Sequence, residues 1–504
     1  MVQGSCHVFD SKRQVNAVNL LTGIKAGAEF AAHWKELFLN HKRGTRRNVD
    51  PLKDIDPKHE KFNEAVNFVL KKTKLSTEQE KCIRSCTSMP DATKVILGYP
   101  GTGKTFLLAV IAFVFHRIGF HVMFSAPTNA TADENCAKLE SVRSILGLDS
   151  RIVRVYRPFA ETQQFLSWGK KSQPGDEPKS SDDAKIDTQV EAGDQPKSTG
   201  DAKPDDTPDD APDTAEAIPL DTQLHMLFLT AKASAAQRER TYGRPESSLE
   251  VQVVQEALNA EKENRVLMGR YPSEDQISLS HGKIQFDEIE NFKGPEVDFF
   301  QALREYLKTL EEAPLSEWED GEKPKALLAF KMVGDYVMKQ APFLVSTNNN
   351  LACAICSGHF AKEAKGVLLI RDEDSKEVES NGLIPLVSCG FSPKVVAQIL
   401  CDDTRQLKPT VLTAGGEPGW NEFSHQLETS GVVRLIKGNH PVEKLTMQRR
   451  FRPQFVGFLN KRVYNGGMKS HPSTKQILVN AAWASMIRAQ FPEALSTLTL
   501  AIGF

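Results

Sequence analysis

Residues 98–105 read GYPGTGKT, and their types and spacing suit the binding of phosphate groups. The three glycines let the backbone turn tightly, so that its N–H groups can point inward at phosphate oxygens. Lys104 can reach the β- and γ-phosphates of a nucleotide, and the hydroxyl of Thr105 can hold Mg²⁺. A chance glycine-rich turn is the alternative. We therefore predict a nucleotide site, with candidate binding residues Gly98, Pro100, Gly101, Thr102, Gly103, Lys104 and Thr105.

An acidic pair, Asp372 and Glu373, follows the apolar run 367–370 after a single residue, Arg371. At the carboxyl end of a parallel strand, this pair would lie beside the phosphate loop. Asp372 would then hold Mg²⁺ through water, and Glu373 would polarise the water that attacks the γ-phosphate. The alternative is a solvated turn, where acidic residues are also common.

Two later segments carry further candidates for phosphate chemistry. Gln406 lies in DTRQLKP (403–409), which follows the apolar run 395–400. A glutamine at such a strand end can sense the γ-phosphate and orient water. The segment QRRFRP (448–453) has three arginines within four positions, and one of them could act as an arginine finger. A solvated basic turn is the alternative for the arginines.

Alternating strand and helix patterns predict the framework that positions these groups. The short apolar run 94–97 predicts a buried strand, 106–115 a core helix and 121–124 a second strand. A strand–helix–strand unit of this kind makes a right-handed parallel crossover. Strand patterns resume at 343–347 and 367–370, so the chain leaves the sheet near residue 140 and rejoins it near 343.

Composition and charge bound the classes of protein that fit. The chain has 504 residues and a formal charge of −2, but residues 171–220 alone carry −9 and the rest +7. That mildly basic remainder fits a nucleic-acid partner without requiring one. Residues 170–220 have no aromatic side chain and repeat GDEPKSSDDAK as GDQPKSTGDAK, which predicts a disordered linker. The polar amino terminus and the short apolar runs predict a soluble intracellular protein with no membrane partner, and do not distinguish nucleus from cytoplasm.

With these motifs in this order, the chain resembles superfamily-1 helicases of the group typified by the nonsense-mediated-decay RNA helicase. LSTEQ (75–79) is similar to the family's adenine-reading motif, in which Gln79 would contact the base. APTNATAD (126–133) is similar to the motif that grips the backbone of a single strand, and the pair at 346–347 falls at the next such loop. The resemblance thus gives the candidate strand-binding residues Pro127, Thr128, Asn129, Ser346 and Thr347.

The later motifs resemble the family in the same way. RDED (371–374) and DTRQLKP (403–409) are similar to its second and third motifs, with Asp374 in place of an alanine and Asp402 in place of a glycine. QRRFRP (448–453) lies where the family has its fourth motif, and Arg450 takes the place of the finger arginine. The resemblance implies ATP and Mg²⁺ as cofactors, and the candidate catalytic residues are Lys104, Asp372, Glu373, Gln406 and Arg450.

The resemblance also implies a RecA-like P-loop NTPase that hydrolyses ATP to move along single-stranded RNA or DNA. We expect an amino-terminal, mainly helical region, a first RecA-like domain in two parts, a connecting segment, the acidic linker, a helical insertion and the start of a second RecA-like domain. Along the chain we expect the helical region at 1–74, the first part of the first RecA-like domain at 75–140, the connecting segment at 141–169, the acidic linker at 170–220, the helical insertion at 221–342, the second part of the first RecA-like domain at 343–424 and the start of the second RecA-like domain at 425–504. The family's last two motifs are not found, so we expect the second domain to be incomplete. The alternative function is an ATP- and nucleic-acid-binding module without unwinding activity.

Overall fold

One parallel sheet of seven strands organises the part of the chain that the structure describes. The computed structural model describes residues 47–156, 247–273, 292–313, 317–319, 321–387, 394–411 and 424–476, with short pieces between residues 13 and 38. The strands are β1 (Thr93–Gly98), β2 (His121–Ala126), β3 (Ile152–Arg154), β4 (Phe343–Thr347), β5 (Val367–Asp372), β6 (Val395–Asp402) and β7 (Val442–Leu445). Their order is β7-β1-β6-β5-β2-β4-β3, and all neighbouring strands are parallel. The predicted α/β fold with a parallel sheet is confirmed, and it is consistent with a RecA-like P-loop domain.

Helices from the first part of the chain cover one face of this sheet. They are α1 (Glu60–Lys72), α2 (Thr77–Arg84), α3 (Lys104–Arg117) and α4 (Asn129–Leu146). All residues of α3 from Leu107 to Phe115 are at most 1% exposed. A helix that is apolar all round must be buried, and α3 is the predicted core helix that starts at the phosphate loop.

The second face is covered by helices that come later in the chain. They are α5 (Leu249–Lys262), α6 (Phe299–Glu312), α7 (Glu322–Gln340), α8 (Ala354–His359), α9 (Glu379–Val387) and, after α10 (Ser424–Leu427), α11 (Gly431–Lys437). Leu344 of β4 lies in one buried apolar cluster with Val253 of α5 and Val333 of α7. The described helices of the predicted insertion, 221–342, therefore pack on the sheet and form part of its second layer.

Three pairs of short strands and a last helix complete the described structure. Asn48–Val49 pairs with Met89–Pro90 and Met268–Arg270 with Glu296–Asp298, both antiparallel. Met447–Gln448 pairs in parallel with Lys469–Ser470, and α12 (Pro453–Leu459) lies between them in sequence. None of the helices in the described ranges is long and apolar enough to cross a membrane.

Two strands of the sheet lie beyond the boundaries expected for the first RecA-like domain. β3 pairs with β4 although it lies in the predicted connecting segment, 141–169. β7 pairs with β1, so the sheet continues past the expected start of a second domain at residue 425. Both strands are only three or four residues long, which explains why their apolar patterns did not stand out. The acidic linker at 170–220 lies outside the described residues.

A buried glutamate connects β3 to the second helical layer. Glu250 in the first turn of α5 is 9% exposed, and Arg154 at the end of β3 is fully buried. Burial raises the pKa of Glu250 to about 7, although hydrogen bonds from its own N–H and from Ser248 and the charge of Arg154 oppose that rise. Glu250 is therefore costly to ionise in the folded protein.

We predict that Glu250→Gln stabilises the protein more at pH 8 than at pH 5. The unfolded chain ionises this group near pH 4.5, whereas the folded chain keeps the proton up to about pH 7. Wild-type stability therefore falls as pH rises through that window, and the neutral glutamine removes up to about 3 kcal/mol of this loss. Thermal unfolding at both pH values measures the effect, with Glu261→Gln on the exposed side of α5 as control. An equal shift in Tm at the two pH values would contradict the prediction.

Candidate nucleotide-binding site

The phosphate loop makes its tight turn at two glycines. Gly101 and Gly103 both have φ of +78°, a conformation that L-residues with a side chain adopt at a cost of about 1–2 kcal/mol. The Thr102 hydroxyl donates to the carbonyl of Tyr99 (2.7 Å), which fixes the turn from inside. Gly103 is the N-cap of α3, so the loop delivers the unpaired N–H groups of a helix amino terminus to the site.

The candidate catalytic side chains converge on this loop. Parallel pairing places the ends of β1, β5 and β6 at one edge of the sheet. A cavity of about 230 Å³ opens there. Its lining contains all five candidate catalytic residues and most of the loop: Pro100, Gly101, Gly103, Lys104, Thr105, Phe106, Glu134, Lys138, Asp372, Glu373, Lys376, Asp402, Asp403, Gln406 and Arg450.

Asp372 is the most deeply buried acidic group at the cavity. It is 3% exposed and accepts a hydrogen bond from the Thr105 hydroxyl (3.1 Å). Burial and then the charge of Glu373 raise the pKa of Asp372 to about 7, while Lys104 and the Thr105 hydrogen bond work in the opposite direction. The Lys104 ammonium donates to the carbonyl of Gly98 (2.8 Å).

This set of oxygen donors fits Mg²⁺. A carboxylate that is costly to ionise would be stabilised by a divalent cation, and a hydroxyl and a carboxylate are the hard ligands that Mg²⁺ prefers. No cluster of three or more His, Cys, Asp or Glu side chains suited to a metal occurs among the described residues. Phosphate oxygens and water would complete the coordination of Mg²⁺ at Thr105 and Asp372.

Glu373 is held by two donors on one oxygen. It follows β5 in a left-handed conformation (φ +56°), and its Oε2 accepts hydrogen bonds from the hydroxyl of Thr131 and the ammonium of Lys376, both at 2.7 Å. Burial acts to raise the pKa of Glu373, but these two hydrogen bonds and the charges of Lys376 and Lys104 outweigh it and lower the pKa. The side chain is therefore ionised at neutral pH.

Gln406 and Arg450 reach the cavity from two separate segments. Gln406 is exposed, and its amide donates to the carboxylate of Asp403 (3.1 Å). Arg450 packs closely on the loop: a Cβ added to Gly101 would lie 2.5 Å from the Cβ of Arg450. The backbone N–H of Arg449 donates to the carbonyl of Gly101 (2.8 Å), which fixes the arginine segment to the loop.

Gln79 lies behind the phosphate loop and not in the cavity lining. Its Nε2 donates to the carbonyl of Thr102 (3.1 Å), and its Oε1 accepts from the N–H of Ser76 (2.9 Å) in the capping box of α2. Both ends of the amide are thus used, the nitrogen to join α2 to the loop and the oxygen to cap α2. The expected contact with a base stays a prediction, and it would require these bonds to rearrange.

The predicted strand-binding residues divide into exposed and buried ones. Thr128 and Asn129 are exposed and Pro127 is half-buried where β2 leads into α4. Ser346 is fully buried, with its hydroxyl donating to the carbonyl of Val155 and accepting from Asn350. The Ser346 hydroxyl thus ties β4 to the residues after β3, and the expected strand contact at Ser346 stays a prediction. Thr347 is half-buried at the end of β4.

Sequence reasoning missed several residues of the cavity. Thr131 lies within the predicted strand-binding segment 126–133, whereas Glu134 and Lys138 have no predicted role. Their spacing of three and four residues places all three on one face of α4. Glu134 and Lys138 line the cavity, and Thr131 contacts Glu373. The helical spacing of these residues after β2 is the sequence pattern that could have identified them. Lys376, three residues after Glu373, was equally readable as an ion-pair partner.

Both departures from the family pattern fall on buried carboxylates. Asp374 is 2% exposed and forms an ion pair with Arg371 at the end of β5. Asp402 is 4% exposed and accepts hydrogen bonds from the N–H groups of Ser375 and Asp403. Burial raises the pKa of Asp402 to about 6 against the effect of these hydrogen bonds. Asp402 thus connects the end of β6 to the segment after β5, whereas the ion pair of Asp374 is local and reaches only three residues back along the chain.

Comparison with known proteins supports the first part of this site. Residues 74–145 match the profile of a family described as an AAA domain. The chain carries an AAA domain of the P-loop NTPase type. The match contains Gln79, the phosphate loop and Thr131, and it ends before Asp372. No curated protein matches the chain.

The AAA domain confirms the coarser part of the sequence predictions. A P-loop NTPase domain indicates nucleotide binding and hydrolysis. The helicase group, the nucleic-acid partner and the individual roles of the site residues are not reached by this match and stay predictions.

We predict that Gly101→Ala weakens both folding and nucleotide binding. The added Cβ would be strained at φ +78° and would displace Arg450. Gly466→Ala is a matched control, because Gly466 has φ +79° and nothing within 4 Å of an added Cβ. Backbone strain alone costs about 1–2 kcal/mol in either variant. We expect Gly101→Ala to lower Tm more than Gly466→Ala does, and we expect only Gly101→Ala to weaken binding of a fluorescent ATP analogue. Equal behaviour of the two variants would contradict the close contact between Gly101 and Arg450.

Proposed function

We propose that this protein is an ATP hydrolase of the superfamily-1 helicase class, of the group typified by the nonsense-mediated-decay RNA helicase. It would hydrolyse ATP with Mg²⁺ to move along single-stranded RNA or DNA. The observation that carries the proposal is the convergence of Lys104, Asp372, Glu373, Gln406 and Arg450 on one cavity. These residues come from four separate segments of the chain, which are the phosphate loop and the segments similar to the second, third and fourth motifs of the family.

The loop and its lysine would bind the triphosphate. Main-chain N–H groups at the start of α3 donate to phosphate oxygens, and the ammonium of Lys104 leaves the carbonyl of Gly98 to reach the β- and γ-phosphates. When bound, Mg²⁺ would neutralise negative charge on the phosphates. Thr105 and Asp372, which already contact each other, would hold it.

Hydrolysis would depend on the groups that surround the γ-phosphate. Glu373 is ionised and would accept the hydrogen bond of the attacking water and align it. Gln406 would donate its amide to the same region, since it is an exposed residue that lines the cavity and its Nε2 donates to one carboxylate oxygen of Asp403. Arg450 would stabilise the negative charge that develops on the γ-phosphate in the transition state.

The strand would bind at the carboxyl ends of β2 and β4, beside the nucleotide site. Thr128 and Asn129 are exposed there, and the side-chain oxygen Oδ1 of Asn129 accepts from Arg154 (3.0 Å), so the side-chain NH₂ group is not used in that bond. Contacts of this kind to phosphate and sugar are tolerant of sequence and sensitive to salt. The net charge of +7 outside residues 171–220 supports such a partner.

We predict ATP turnover that single-stranded RNA or DNA stimulates and that Lys104→Ala abolishes. Removal of the ammonium group leaves the phosphates without their principal side-chain cation, so a fall of at least about 100-fold in kcat/KM is expected. The control is Lys71→Ala, an exposed lysine on α1 that does not line the cavity. Phosphate release measured with oligouridylate, oligothymidylate and no strand tests the proposal.

Three outcomes separate the parts of the proposal. Turnover that Lys104→Ala does not change would exclude this cavity as the hydrolytic site. Turnover that neither oligonucleotide alters, at low salt, would reject the strand-dependent motor and leave an ATP hydrolase. ATP binding without turnover under all conditions would leave a binding module.

A further inference from the structure

A chain of hydroxyl groups leads from the predicted strand-binding loop to Glu373. The Thr131 Oγ1 lies 2.7 Å from Glu373 Oε2 and 3.0 Å from the Oγ1 of Thr128. Thr131 is 8% exposed in the first turn of α4, whereas Thr128 is the exposed N-cap of that helix. The two ends of this chain belong to two different predicted sites.

The single proton on each hydroxyl fixes the direction of the chain. An ionised carboxylate can only accept, so the Thr131 hydroxyl donates to Glu373. Thr131 Oγ1 is then the acceptor in its contact with Thr128, whose hydroxyl must donate. Thr128 Oγ1 in turn accepts from the backbone N–H of Thr131 (3.2 Å), which is the cap of α4. Donation therefore runs from Thr128 through Thr131 to Glu373.

This chain restrains the carboxylate that would align the attacking water. Oε2 of Glu373 already accepts from Thr131 and from Lys376, so this oxygen is committed to two protein donors. A hydroxyl that accepts one hydrogen bond donates a stronger one, because hydrogen bonds in a chain polarise one another. The Thr131–Glu373 bond is therefore strongest while Thr128 donates to Thr131.

We infer that Thr131 is a positioning residue that holds Glu373 back until a single strand binds. A backbone phosphate of the strand at Thr128 would accept a hydrogen bond from the Thr128 hydroxyl. Thr131 would then lose its hydrogen-bond donor and would hold Glu373 less firmly. Strand binding at the loop and hydrolysis at the cavity are then coupled through one side chain. The inference rests on the proposed function, because it requires both strand binding and turnover.

The test compares kcat and KM for ATP in the wild type and in Thr131→Val, with and without oligouridylate or oligothymidylate. Valine keeps the shape of threonine and removes the donor. We expect strand-free kcat to rise about threefold or more with KM unchanged, and the ratio of strand-stimulated to strand-free kcat to fall by the same factor. Thr131→Ser keeps the hydroxyl and should behave as the wild type.

Two further variants keep the result interpretable. Thr73→Val makes the same change at another threonine of 8% exposure, whose hydroxyl donates to the carbonyl of Val69 in α1. It should alter Tm without altering the stimulation ratio. Thr131→Ala removes the same donor and replaces Thr131→Val if valine prevents folding.

The inference fails if Thr131→Val lowers kcat equally with and without the strand, since Thr131 would then support catalysis rather than restrain it. It also fails if the stimulation ratio is unchanged or if Thr131→Ser matches Thr131→Val. In each of these cases a wild type that turns over ATP in response to strand leaves the proposed function intact. A wild type without turnover overturns the proposed function and this inference together.

Discussion

The structure depends on the shared edge at which β1, β5 and β6 end. Parallel pairing in register brings Gly98, Asp372 and Asp402 to this edge, although Gly98 lies more than 270 residues before Asp372 in sequence. Two buried carboxylates and the phosphate loop meet there. The ammonium of Lys104 is the cation that opposes the rise in the pKa of Asp372 caused by burial. Such a concentration of acidic groups is stable only where cations or bound protons offset the charge. The edge is therefore suited to a metal ion and a lysine acting on a triphosphate.

Residues outside the candidate catalytic set fix the positions of the segments that carry it. The amide of Gln79 joins α2 to the phosphate loop, and the backbone of Arg449 bonds to Gly101. Asp403 accepts hydrogen bonds from the amide of Gln406 and from the hydroxyl of Tyr464 (2.9 Å). The cavity thus has connections to α2, to the segment after β7 and to the segment after α12. A nucleotide that changes the loop would act on all of these neighbours.

The sequence predicted those features that depend on local pattern. The apolar runs predicted β4 with its observed bounds, Phe343–Thr347, and the core helix α3 with ends within two residues. The loop and the acidic pair followed from residue types alone, since their chemistry needs few neighbours. What could not be predicted depends on tertiary packing. β7 is too short to show a period, Ser346 is buried by residues after β3, and Thr131 meets Glu373 only because α4 starts beside the end of β5.

A crystal structure of the protein with Mg²⁺ and a non-hydrolysable ATP analogue tests the central claim most directly. We expect the triphosphate at the amino terminus of α3, with Lys104 moved from the Gly98 carbonyl to the phosphates, the metal ion beside Thr105 and Asp372, and Arg450 facing the γ-phosphate. A triphosphate bound elsewhere, or one at the loop with Asp372 and Glu373 turned away from it, would contradict this account.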